Sequence, residues 1–447
     1  MNQIMNKAEG DINCTSARTE WLESLPEKTI KKIKEDADSF LHQALSTPCM
    51  EVLEECDGPY IMTSSGRKIL DFHGNNIHQV GYRNKQVIDA VIAMLTKLPF
   101  SPRRYTNQAA IELAQRLTTK VPGLNSVLFA PGGSEANSMA LKLARIATGK
   151  FKVVSMWGAF HGAGLDTISV GGEASFRKNI GPLLSGTEHV PQPDSYRSFW
   201  ENDKEQDIYV AYVRQVFECE GDVGAFIAET IRNTDVQIPT LNFWQKIRAL
   251  CDEFGVVLIL DEIPIAIGRT GRFFAFEHYG IVPDIVTIGK GLGGGVFPMA
   301  ALLTNDKFNI AAEHSVGHFT HEKSPLGSAA GLAVLDIIEE QHLLQRTQQL
   351  GELMKKRLLE MKDRFEMIGD VRGIGLLWGI DLVTDRITKN RAADEAEKVL
   401  YDCIKNGLSF KVSLGNVINL CPALIISEPE LNRALDILEN AFRKFIH

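Results

Sequence analysis

The sequence has 447 residues, of which 44% are hydrophobic and 23% are charged, and its formal net charge is −8. These values are typical of a globular protein with about two or three domains, and they argue against long disordered segments. The acidic balance and the lack of a basic stripe argue against nucleic acid or an anionic membrane as a partner.

The cysteines and the first residues indicate the cellular compartment. Seven cysteines are scattered without C-x-x-C pairs or metal-ligand spacing, so we expect reduced thiols and no metal site. The first residues, M-N-Q-I-M-N-K, are polar and lack the apolar core of a signal peptide. No apolar run reaches the roughly 18 residues of a membrane-spanning helix. We therefore expect a soluble cytoplasmic protein.

The chain begins with a predicted N-terminal arm that holds two short helical patterns separated by the charge run K-K-I-K-E-D-A-D. Residues 58–72 predict a β-hairpin with its turn at 64–66. The polar segment after the hairpin contains Asn75 and Asn76, whose amides can donate to an anion. The motif S-P-R-R-Y-T-N then supplies Arg103 and Arg104, which are anion-binding candidates unless they are simply solvated.

A strand, a glycine turn and a helix follow in S-V-L-F-A-P-G-G-S-E-A-N. Residues 127–130 predict a buried strand, and residues 135–148 predict a helix. Gly133 and Ser134 lie at the turn, where backbone N–H groups converge and the helix dipole favours a phosphate group. A plain strand-to-helix turn has the same pattern, so both interpretations stay open on this motif alone.

Two further predicted strands end in residues that can serve a site. K-V-V-S-M-W-G-A-F-H-G leads to Phe160 and His161. The Phe160 ring can stack on a flat group, although core packing is the commoner use of an aromatic side chain. V-G-A-F-I-A-E-T predicts a buried strand that ends on Glu229, and a charge directly after core residues usually has a partner or a function.

The stretch 256–295 delivers a carboxylate and an amine. Residues 256–260 predict a strand buried on both faces of a parallel sheet, and Asp261 follows it. Residues 285–288 predict a second strand, and Lys290 comes after it, before a glycine cluster. Ligands of open α/β sheets bind beyond the carboxyl ends of the strands, so both side chains can face one ligand. The pair suits pyridoxal 5′-phosphate, with an amine for its aldehyde and a carboxylate for its pyridine nitrogen, unless the two are an ordinary surface lysine and turn aspartate.

The rest of the chain predicts a second domain of short α/β pieces. Helices are expected from about 326, at 340–363, at 392–406 and from 428, with strands near 408 and 417. Lys411 lies between the last two strands and is a further cation for a substrate anion. The expected divisions are residues 1–57 as an N-terminal arm and part of the small domain, 58–334 as the large cofactor-binding domain and 335–447 as the C-terminal small domain.

From about residue 50 to 440 the chain resembles the class III aminotransferases, a family of fold type I enzymes that use pyridoxal phosphate. The shared motifs are G-G-S-E-A-N, F-H-G, I-G-P-L-L-S-G, D-E-I-P-I-A-I-G-R-T-G, I-G-K-G-L-G-G-G, T-H-E-K-S-P and V-R-G-I-G-L-L-W-G-I. The resemblance implies an α/β fold with a large, mostly parallel sheet flanked by helices and a smaller α/β domain built from both termini. It also implies a homodimer with shared active sites.

The resemblance implies a role for most of the candidate residues. The implied cofactor residues are Lys290 as the Schiff-base lysine, Asp261 as the partner of the pyridine nitrogen, Phe160 as the ring-stacking aromatic, Gly133 and Ser134 as the phosphate cradle, Thr320 as a phosphate contact to the neighbouring subunit, and His161 and Glu229 beside the cofactor. A relative without catalysis is not expected while Asp261 and Lys290 are both present.

Departures from the family pattern bear on the reaction. Pro264 stands where D-E-x-Q has its glutamine, and E-P-x-x-G is altered to E-T-I-R-N. Family members that act on glutamate usually have an arginine at the position of Asn419, which binds the α-carboxylate and pairs with a glutamate at the position of Glu229. A neutral amide does not replace that cation. Because a transaminase needs two amino-group carriers and a lyase needs one substrate, the reduced apparatus favours a lyase.

The motifs P-R-R-Y-T-N, F-A-P-G-G, S-M-W and F-H-G are most similar to those of family members that release ammonia from a small amino-hydroxy phosphonate. The sequence does not rank the candidates for the phosphonate, which are Asn75, Asn76, Arg103, Arg104 and Lys411. An ω-amino acid or amine:pyruvate aminotransferase is the alternative, since some of these also lack the arginine. A cofactor-binding sensor without turnover is disfavoured because no DNA-binding region is evident.

Overall fold

The computed structural model describes residues 8–9, 15–41, 45–46, 51–200, 203 and 205–445. Part of the expected N-terminal arm, with Cys14 and Cys49, lies outside these residues. The helices are α1 (Ser16–Glu23), α2 (Glu27–Ser39), α3 (Lys85–Lys97), α4 (Gln108–Thr118), α5 (Gly133–Thr148), α6 (Leu165–Val170), α7 (Ala174–Arg177), α8 (Asp207–Glu220), α9 (Leu241–Phe254), α10 (Pro325–Glu340), α11 (Leu343–Arg364), α12 (Ala393–Lys405) and α13 (Glu428–Phe445).

Strands alternate with these helices through most of the chain. They are β1 (Ala8–Glu9), β2 (Leu45–Ser46), β3 (Leu53–Asp57), β4 (Tyr60–Thr63), β5 (Lys68–Asp71), β6 (Ser126–Ala130), β7 (Lys152–Met156), β8 (Thr187–Val190), β9 (Val223–Glu229), β10 (Val257–Asp261), β11 (Ile285–Ile288), β12 (Ala300–Thr304), β13 (Ile368–Ile374), β14 (Leu377–Leu382), β15 (Leu408–Ser409), β16 (Lys411–Ser413) and β17 (Val417–Leu420). The α/β class expected from the sequence is confirmed.

The chain divides into two compact units. The first unit comprises Met1–Asn84, Thr234–Val236 and Gln345–His447, and the second comprises Lys85–Asn233 and Gln237–Leu344. The expected boundaries after 57 and after 334 do not coincide with these units. The hairpin β4–β5 groups with the C-terminal part because β5 pairs in parallel with β15. The assignment of domains made from the sequence stays a prediction.

The second unit is built on a mostly parallel sheet. Among its described residues this sheet has seven strands in the order β6-β12-β11-β10-β9-β7-β8, and only β12 runs antiparallel to its neighbours. Helix α5 packs on β9, β11 and β12. All residues of β9, β10 and β11 are buried, as their unbroken apolar sequences predict for strands covered on both faces.

The register of this sheet places three polar residues side by side at its carboxyl edge. Asp261 of β10 pairs with Glu229 of β9 on one side and with Thr287 of β11 on the other. Lys290 follows β11 by two residues and opens a short 3₁₀ turn, Lys290–Gly293. Its φ is 48°, in the left-handed region that residues other than glycine seldom adopt. Asp261 and Lys290 thus both lie at the carboxyl edge of this sheet, and their joint function stays a prediction.

The first unit contains two four-stranded sheets among its described residues. One has the order β15-β5-β4-β3 and includes the predicted hairpin. The other is antiparallel, with the order β13-β14-β17-β16. Its register aligns Arg372, Gly379, Asn419 and Lys411 across the four strands, and we call these residues the Arg372 row. Side chains at paired positions share a face of the sheet, so the row lies on one face.

Two other kinds of feature are absent from the described residues. No group of three or more His, Cys, Asp or Glu side chains is arranged to hold a metal ion there. Within the same residues, no helix combines the length and the apolar character needed to cross a membrane. The cysteines in this part of the chain, Cys56, Cys219, Cys251, Cys403 and Cys421, are free thiols.

Candidate cofactor and substrate site

The centre of the site is the buried carboxylate of Asp261. Its Oδ2 accepts a hydrogen bond from Asn137 Nδ2 at 2.7 Å and lies 2.9 Å from His161 Nδ1. Its Oδ1 accepts from the backbone N–H of Ile263 at 3.1 Å. A buried carboxylate needs such donors to replace water, and here they come from α5, from the segment after β7 and from the turn after β10.

The orientation of Asn137 is fixed by its other contacts. Thr287 Oγ1 donates to Asn137 Oδ1 at 2.7 Å, so the amide oxygen points to β11 and the amide nitrogen points to Asp261. The same nitrogen donates to the backbone oxygen of His161 at 2.8 Å. The amide therefore holds Asp261 and His161 in one network.

His161 completes the network through one of its two ring nitrogens. Because a carboxylate only accepts, Nδ1 of His161 carries the proton of its bond to Asp261. The Nε2 atom of the same ring is buried and has no hydrogen-bond partner among the described residues. The network therefore presents an unused ring nitrogen as well as an oriented carboxylate, which is consistent with a bound group that the polypeptide itself does not contain.

The start of α5 has the form of a phosphate cradle. Its N-cap, Gly132, provides no side-chain cap, so the first N–H groups of the helix remain available to an anion. A Cβ atom on Gly133 would lie 2.6 Å from Ile263 Cδ1. A Cβ on Gly162, whose φ is 133°, would lie 2.3 Å from Ser134 Oγ. Glycine at both positions avoids these contacts and lets the backbone come close to a ligand.

Phe160 and Glu229 are coupled through the backbone. The Phe160 ring is 38% exposed and lies 4.6 Å from the Phe176 ring, at an interplanar angle of 42°. The Phe160 N–H donates to Glu229 Oε1 at 3.3 Å, and the Asn233 N–H donates to Oε2 at 2.9 Å. Burial raises the pKa of Glu229, and the nearby Arg232 partly opposes that shift. Glu229 thus connects the end of β9 to the segment that carries the aromatic ring.

Glu262, the second acid of the D-E pair, has a structural function. It is fully buried and accepts hydrogen bonds from Thr230 Oγ1 and from the backbone N–H groups of Ala275 and Phe276, at 2.7–2.8 Å. Burial outweighs these bonds and raises the pKa of Glu262 to about 7. The side chain joins the end of β10 to the loop after β9 and to the 3₁₀ helix Ala275–Tyr279.

The predicted cofactor residues meet within the second unit. They are Gly133, Ser134, Phe160, His161, Glu229, Asp261 and Lys290, all at the carboxyl ends of β7, β9, β10 and β11 or at the start of α5. The Lys290 side chain is exposed in the isolated chain. Thr320 is also exposed, in the loop between β12 and α10, and its contact to a neighbouring subunit stays a prediction.

The structure does not gather the predicted anion-binding residues in one unit. Arg103 and Arg104 belong to the second unit, whereas Asn75, Asn76 and Lys411 belong to the first. Asn75 and Asn76 have φ angles of 46° and 59°, in a left-handed turn after β5. Their roles stay predictions.

The two arginines and the lysine differ in their pairing. Arg103 forms an ion pair with Glu322 at 3.1 Å, so its charge is already balanced. Arg104 is exposed, and Lys411 lies across from Asn419 in the Arg372 row. Within the described part of the chain, neither Arg104 nor Lys411 has an ion-pair partner.

The sequence reasoning missed three polar residues of the site. Asn137 is the last residue of the G-G-S-E-A-N motif, and its place in that motif was the available signal. Thr287 lies inside an apolar strand, so nothing but the sheet register reveals its function. Arg232 lies in the altered E-T-I-R-N segment, where a new charge beside a buried acid could have been noted.

Comparisons with known proteins agree with this geometry. A model of the aminotransferase class-III family matches residues 42–442. The chain is 51% identical to the (R)-1-hydroxy-2-aminoethylphosphonate ammonia-lyase of Vibrio splendidus (strain 12B01), with 98% of this chain and 95% of that protein covered. It is 32% identical to the taurine–pyruvate aminotransferase of Rhodobacter capsulatus, with 90% of this chain and 94% of that protein covered.

A crystal structure of an amine transaminase from an uncultivated Pseudomonas species, in its pyridoxal-phosphate-bound form, is also similar. The TM-score is 0.84 at 29% identity, with 91% of this chain and 99% of that chain covered. The oriented carboxylate, the helix cradle, the exposed aromatic ring and the lysine fit the same cofactor. Because the family match spans most of its length, this chain belongs to the class III aminotransferases, a family of pyridoxal phosphate enzymes.

Proposed function

We propose that this protein is an ammonia-lyase that converts a small amino-hydroxy phosphonate, such as (R)-1-hydroxy-2-aminoethylphosphonate, to phosphonoacetaldehyde and ammonia. The observation that carries the proposal is the 51% identity to the Vibrio splendidus lyase over nearly the full length of both chains. Asn419 supports it, because an amide at this position does not bind the α-carboxylate of a second, glutamate-like substrate.

Pyridoxal phosphate, when bound, supplies an aldehyde that captures amines and a ring that withdraws electrons from the carbon next to the captured nitrogen. Asp261 would keep the proton on the ring nitrogen, and its own charge is stabilised by Asn137 and His161. Phe160 would pack on the ring. The N–H groups at Gly133 and Ser134, aided by the helix dipole, would bind the phosphate.

Lys290 carries out the proton transfer in this proposal. With substrate bound, the free amine of Lys290 would remove the proton from the carbon that bears the nitrogen. Hydroxide then leaves the neighbouring carbon, which also carries the phosphonate, and it departs with a proton as water. The released enamine takes up water and gives ammonia and phosphonoacetaldehyde, so no keto acid is consumed.

Lys411 and Arg104 are our first choices for holding the phosphonate. Neither has an ion-pair partner within the described residues, whereas Arg103 is bound to Glu322. A phosphonate dianion needs cations or N–H donors to replace its hydration. We expect Lys411→Met to raise KM for the phosphonate by about tenfold, the effect of one lost charge-assisted hydrogen bond, with little change in bound cofactor. Arg103→Met is the paired control, and an equal rise in KM there would count against Lys411.

We also infer that the protein is a cytoplasmic homodimer in which Thr320 completes the partner's phosphate site. Large apolar side chains on the surface of the second unit support an interface. Leu95, Ile111 and Leu128 are 38–53% exposed, and exposed apolar patches commonly mark association surfaces. Free thiols in the described part of the chain agree with a reducing compartment. Sedimentation analysis tests the dimer.

An amine:pyruvate aminotransferase is the second candidate. The similarity to the taurine–pyruvate aminotransferase and to the amine transaminase structure favours it. It differs from the lyase in a simple way, because a transaminase passes the amino group to a keto acid and releases no ammonia.

The deciding experiment uses purified holoenzyme and racemic 1-hydroxy-2-aminoethylphosphonate, with and without pyruvate. Ammonia and phosphonoacetaldehyde formed at equal rates in both tubes are the result expected for the lyase, and conversion should stop near one half if one enantiomer is used. Alanine formed only with pyruvate, without ammonia, would overturn the proposal in favour of the aminotransferase. Taurine in place of the phosphonate is the matched control for substrate class.

A further inference from the structure

Arg232 is a buried arginine that no step of the proposed reaction uses. It lies three residues after Glu229, in the segment where the family pattern is altered, and it is 6% exposed. Its backbone N–H and C=O exchange hydrogen bonds of 3.1 Å with Gln237, which closes the loop after β9. Arginine is seldom buried to this extent without a specific function.

The guanidinium of Arg232 lies against the backbone of Gly158. Its Nε donates to Gly158 O at 2.9 Å. A Cβ atom on Gly158 would lie 2.9 Å from Nη2, 3.1 Å from Cζ and 3.5 Å from Nη1 of this guanidinium. The φ of Gly158 is 78°, so the backbone conformation favours glycine as well. The Arg232 guanidinium thus occupies the space that a side chain at position 158 would need.

Gly172 also packs against the segment between β7 and Phe160. A Cβ atom on Gly172 would lie 2.2 Å from Met156 O and 2.6 Å from the Gly158 nitrogen. The Gly172 N–H also donates to Ala159 O at 2.8 Å. The residues between β7 and Phe160 therefore have little freedom to move without disturbing either Arg232 or Gly172.

Glu229, at the end of β9, and Arg232, in the loop that follows, thus hold two residues of the Phe160 segment. Arg232 binds the carbonyl of Gly158, and Glu229 binds the N–H of Phe160. The charges of Arg232 and Glu229 interact favourably, so the two anchors also support each other. The position of the exposed Phe160 ring depends on both.

We propose that Arg232 is a positioning residue that, through Gly158, fixes the backbone carrying Phe160 and so sets the ring that packs on the cofactor. The proposal needs no contact of Arg232 with substrate or cofactor. It rests on the cofactor and not on the lyase reaction, so it can fail while the proposed function stands, and the reverse also holds.

Cofactor retention by the holoenzyme tests this proposal. Wild type, Arg232→Met, Arg232→Lys and Gly158→Ala are dialysed against a series of pyridoxal phosphate concentrations, and bound cofactor is followed by its visible absorption. Its visible circular dichroism reports the orientation of the ring. We expect Arg232→Met and Gly158→Ala to weaken retention on the order of tenfold, as loss of outer-shell support does at metal sites. Arg232→Lys should lose less, because an amine still reaches Gly158 O.

Arg248→Met is the matched control. Arg248 is another mostly buried arginine of the second unit, but it forms ion pairs with Asp284 and Asp252, away from the Phe160 segment. Its replacement should leave cofactor retention and circular dichroism as in the wild type. A loss equal to that of Arg232→Met would show a general effect on folding and would overturn the proposal.

The double variant Gly158→Ala, Arg232→Met separates a direct contact from two independent effects. Because the methyl group at 158 clashes with the guanidinium, the double variant should lose no more affinity than the worse single variant. If Arg232→Met does not fold, Arg232→Lys and Gly158→Ala decide the matter, because Arg232→Lys keeps a cationic side chain and Gly158→Ala adds only one methyl group. Wild-type retention and circular dichroism in both of these variants would overturn the proposal.

Discussion

The carboxyl edge of the large sheet and the Arg372 row both bury polar side chains, but they use them differently. At the edge, Asn137 and His161 converge on Asp261, and His161 Nε2 is left without a partner among the described residues. In the row, Arg372 donates Nε and Nη2 to Asp235 O at 3.0 and 2.7 Å, and Asn419 Nδ2 donates to Thr234 O at 3.4 Å. The edge keeps donors and acceptors for a bound group, whereas Arg372 and Asn419 of the row direct these donors to the chain's own backbone.

The backbone held by the row is strained. Val236 has a φ of 55°, which is a true outlier for a β-branched residue, and it is fully buried. A Cβ atom on Gly379 would lie 3.0 Å from Val236 Cβ, so the row needs glycine at its second position. Such strain costs on the order of 1–3 kcal/mol and persists only where the surroundings enforce it. Asn419, at the position where relatives that act on glutamate have an arginine, thus helps to hold a loop.

Lys290→Ala should have the largest effect on the edge. We expect turnover to fall by roughly 10²–10⁴-fold or more, because a general base is lost together with the amine that captures the cofactor. The visible absorption of the lysine-bound cofactor should disappear, while far-ultraviolet circular dichroism stays unchanged. Lys307→Ala, at a lysine paired with Asp284, is the control. Unchanged turnover in Lys290→Ala would remove this residue from the mechanism.

In contrast to Lys290→Ala, Arg372→Met should lower stability and leave cofactor binding unchanged. The change removes the Arg372 donors from the carbonyls of Asp235 and Val236, and it leaves Asp370 with Lys362 as its remaining ion-pair partner. We expect the free energy of unfolding to fall by about 3–5 kcal/mol, as when one member of a buried ion pair is removed. The absorption of bound cofactor in the folded protein should not change. Urea unfolding and visible spectra together check this, and a spectral change without loss of stability would contradict the comparison.

The pKa of Glu262 predicts how the stability of the protein depends on pH. Its pKa is about 7 in the folded protein and 4.5 ordinarily, so the unfolded chain releases this proton first as pH rises. The contribution of Glu262 to the free energy of unfolding is therefore greatest below pH 4.5, falls between pH 4.5 and about pH 7, and is constant at higher pH. The fall amounts to roughly 3 kcal/mol at 1.4 kcal/mol for each pH unit.

Glu262→Gln should remove that slope, whatever its effect on stability at a single pH. Urea unfolding at several values between pH 5 and 8 measures it. Glu54→Gln, on the exposed strand β3, should keep the wild-type slope. An unchanged slope in Glu262→Gln would show that this acid does not titrate in the range.

Asn137→Ala should have the smallest effect of these variants, and it should lower both stability and turnover. Thr287 Oγ1 and Asp261 Oδ2 each lose a hydrogen bond in a fully buried place, which costs about 1–3 kcal/mol of stability. Turnover should fall on the order of tenfold, because Asp261 keeps fewer donors to hold its charge. Asn242→Ala, on the exposed face of α9, is the control. A loss of stability with wild-type turnover would make Asn137 a purely structural residue.

Much of the large sheet could be predicted because its strands are local patterns. The apolar runs before Glu229, Asp261 and Lys290 marked buried parallel strands, and the carboxyl-end rule then placed these residues at one edge. The glycine turn before α5 was visible for the same reason, since glycines and helix starts are encoded within a few residues. These parts of the fold and of the candidate site follow from short stretches of sequence.

The remaining features depend on register and on contacts between distant residues. The bond from Asn137 to Asp261 spans 124 positions, and nothing near either residue announces the other. The Arg372 row exists only because three strand pairings align, and a shift of one residue would turn its side chains to the other face. The pairing of β5 with β15 likewise groups residues 58–84 with the first compact unit, and no local pattern near either strand indicates it.

Helix α5 has a further consequence for the choice of cofactor. Gly133 starts the helix and Asn137 lies one turn later, about 6 Å along the axis at 1.5 Å per residue. In the proposed cofactor site, one helix thus carries the contacts to the phosphate end and, through Asp261, to the ring-nitrogen end. The helix therefore fixes the distance between the two contacts. Vitamers without the phosphate, or with a longer arm to it, would make the contact at the ring nitrogen or the contact at the phosphate, but not both.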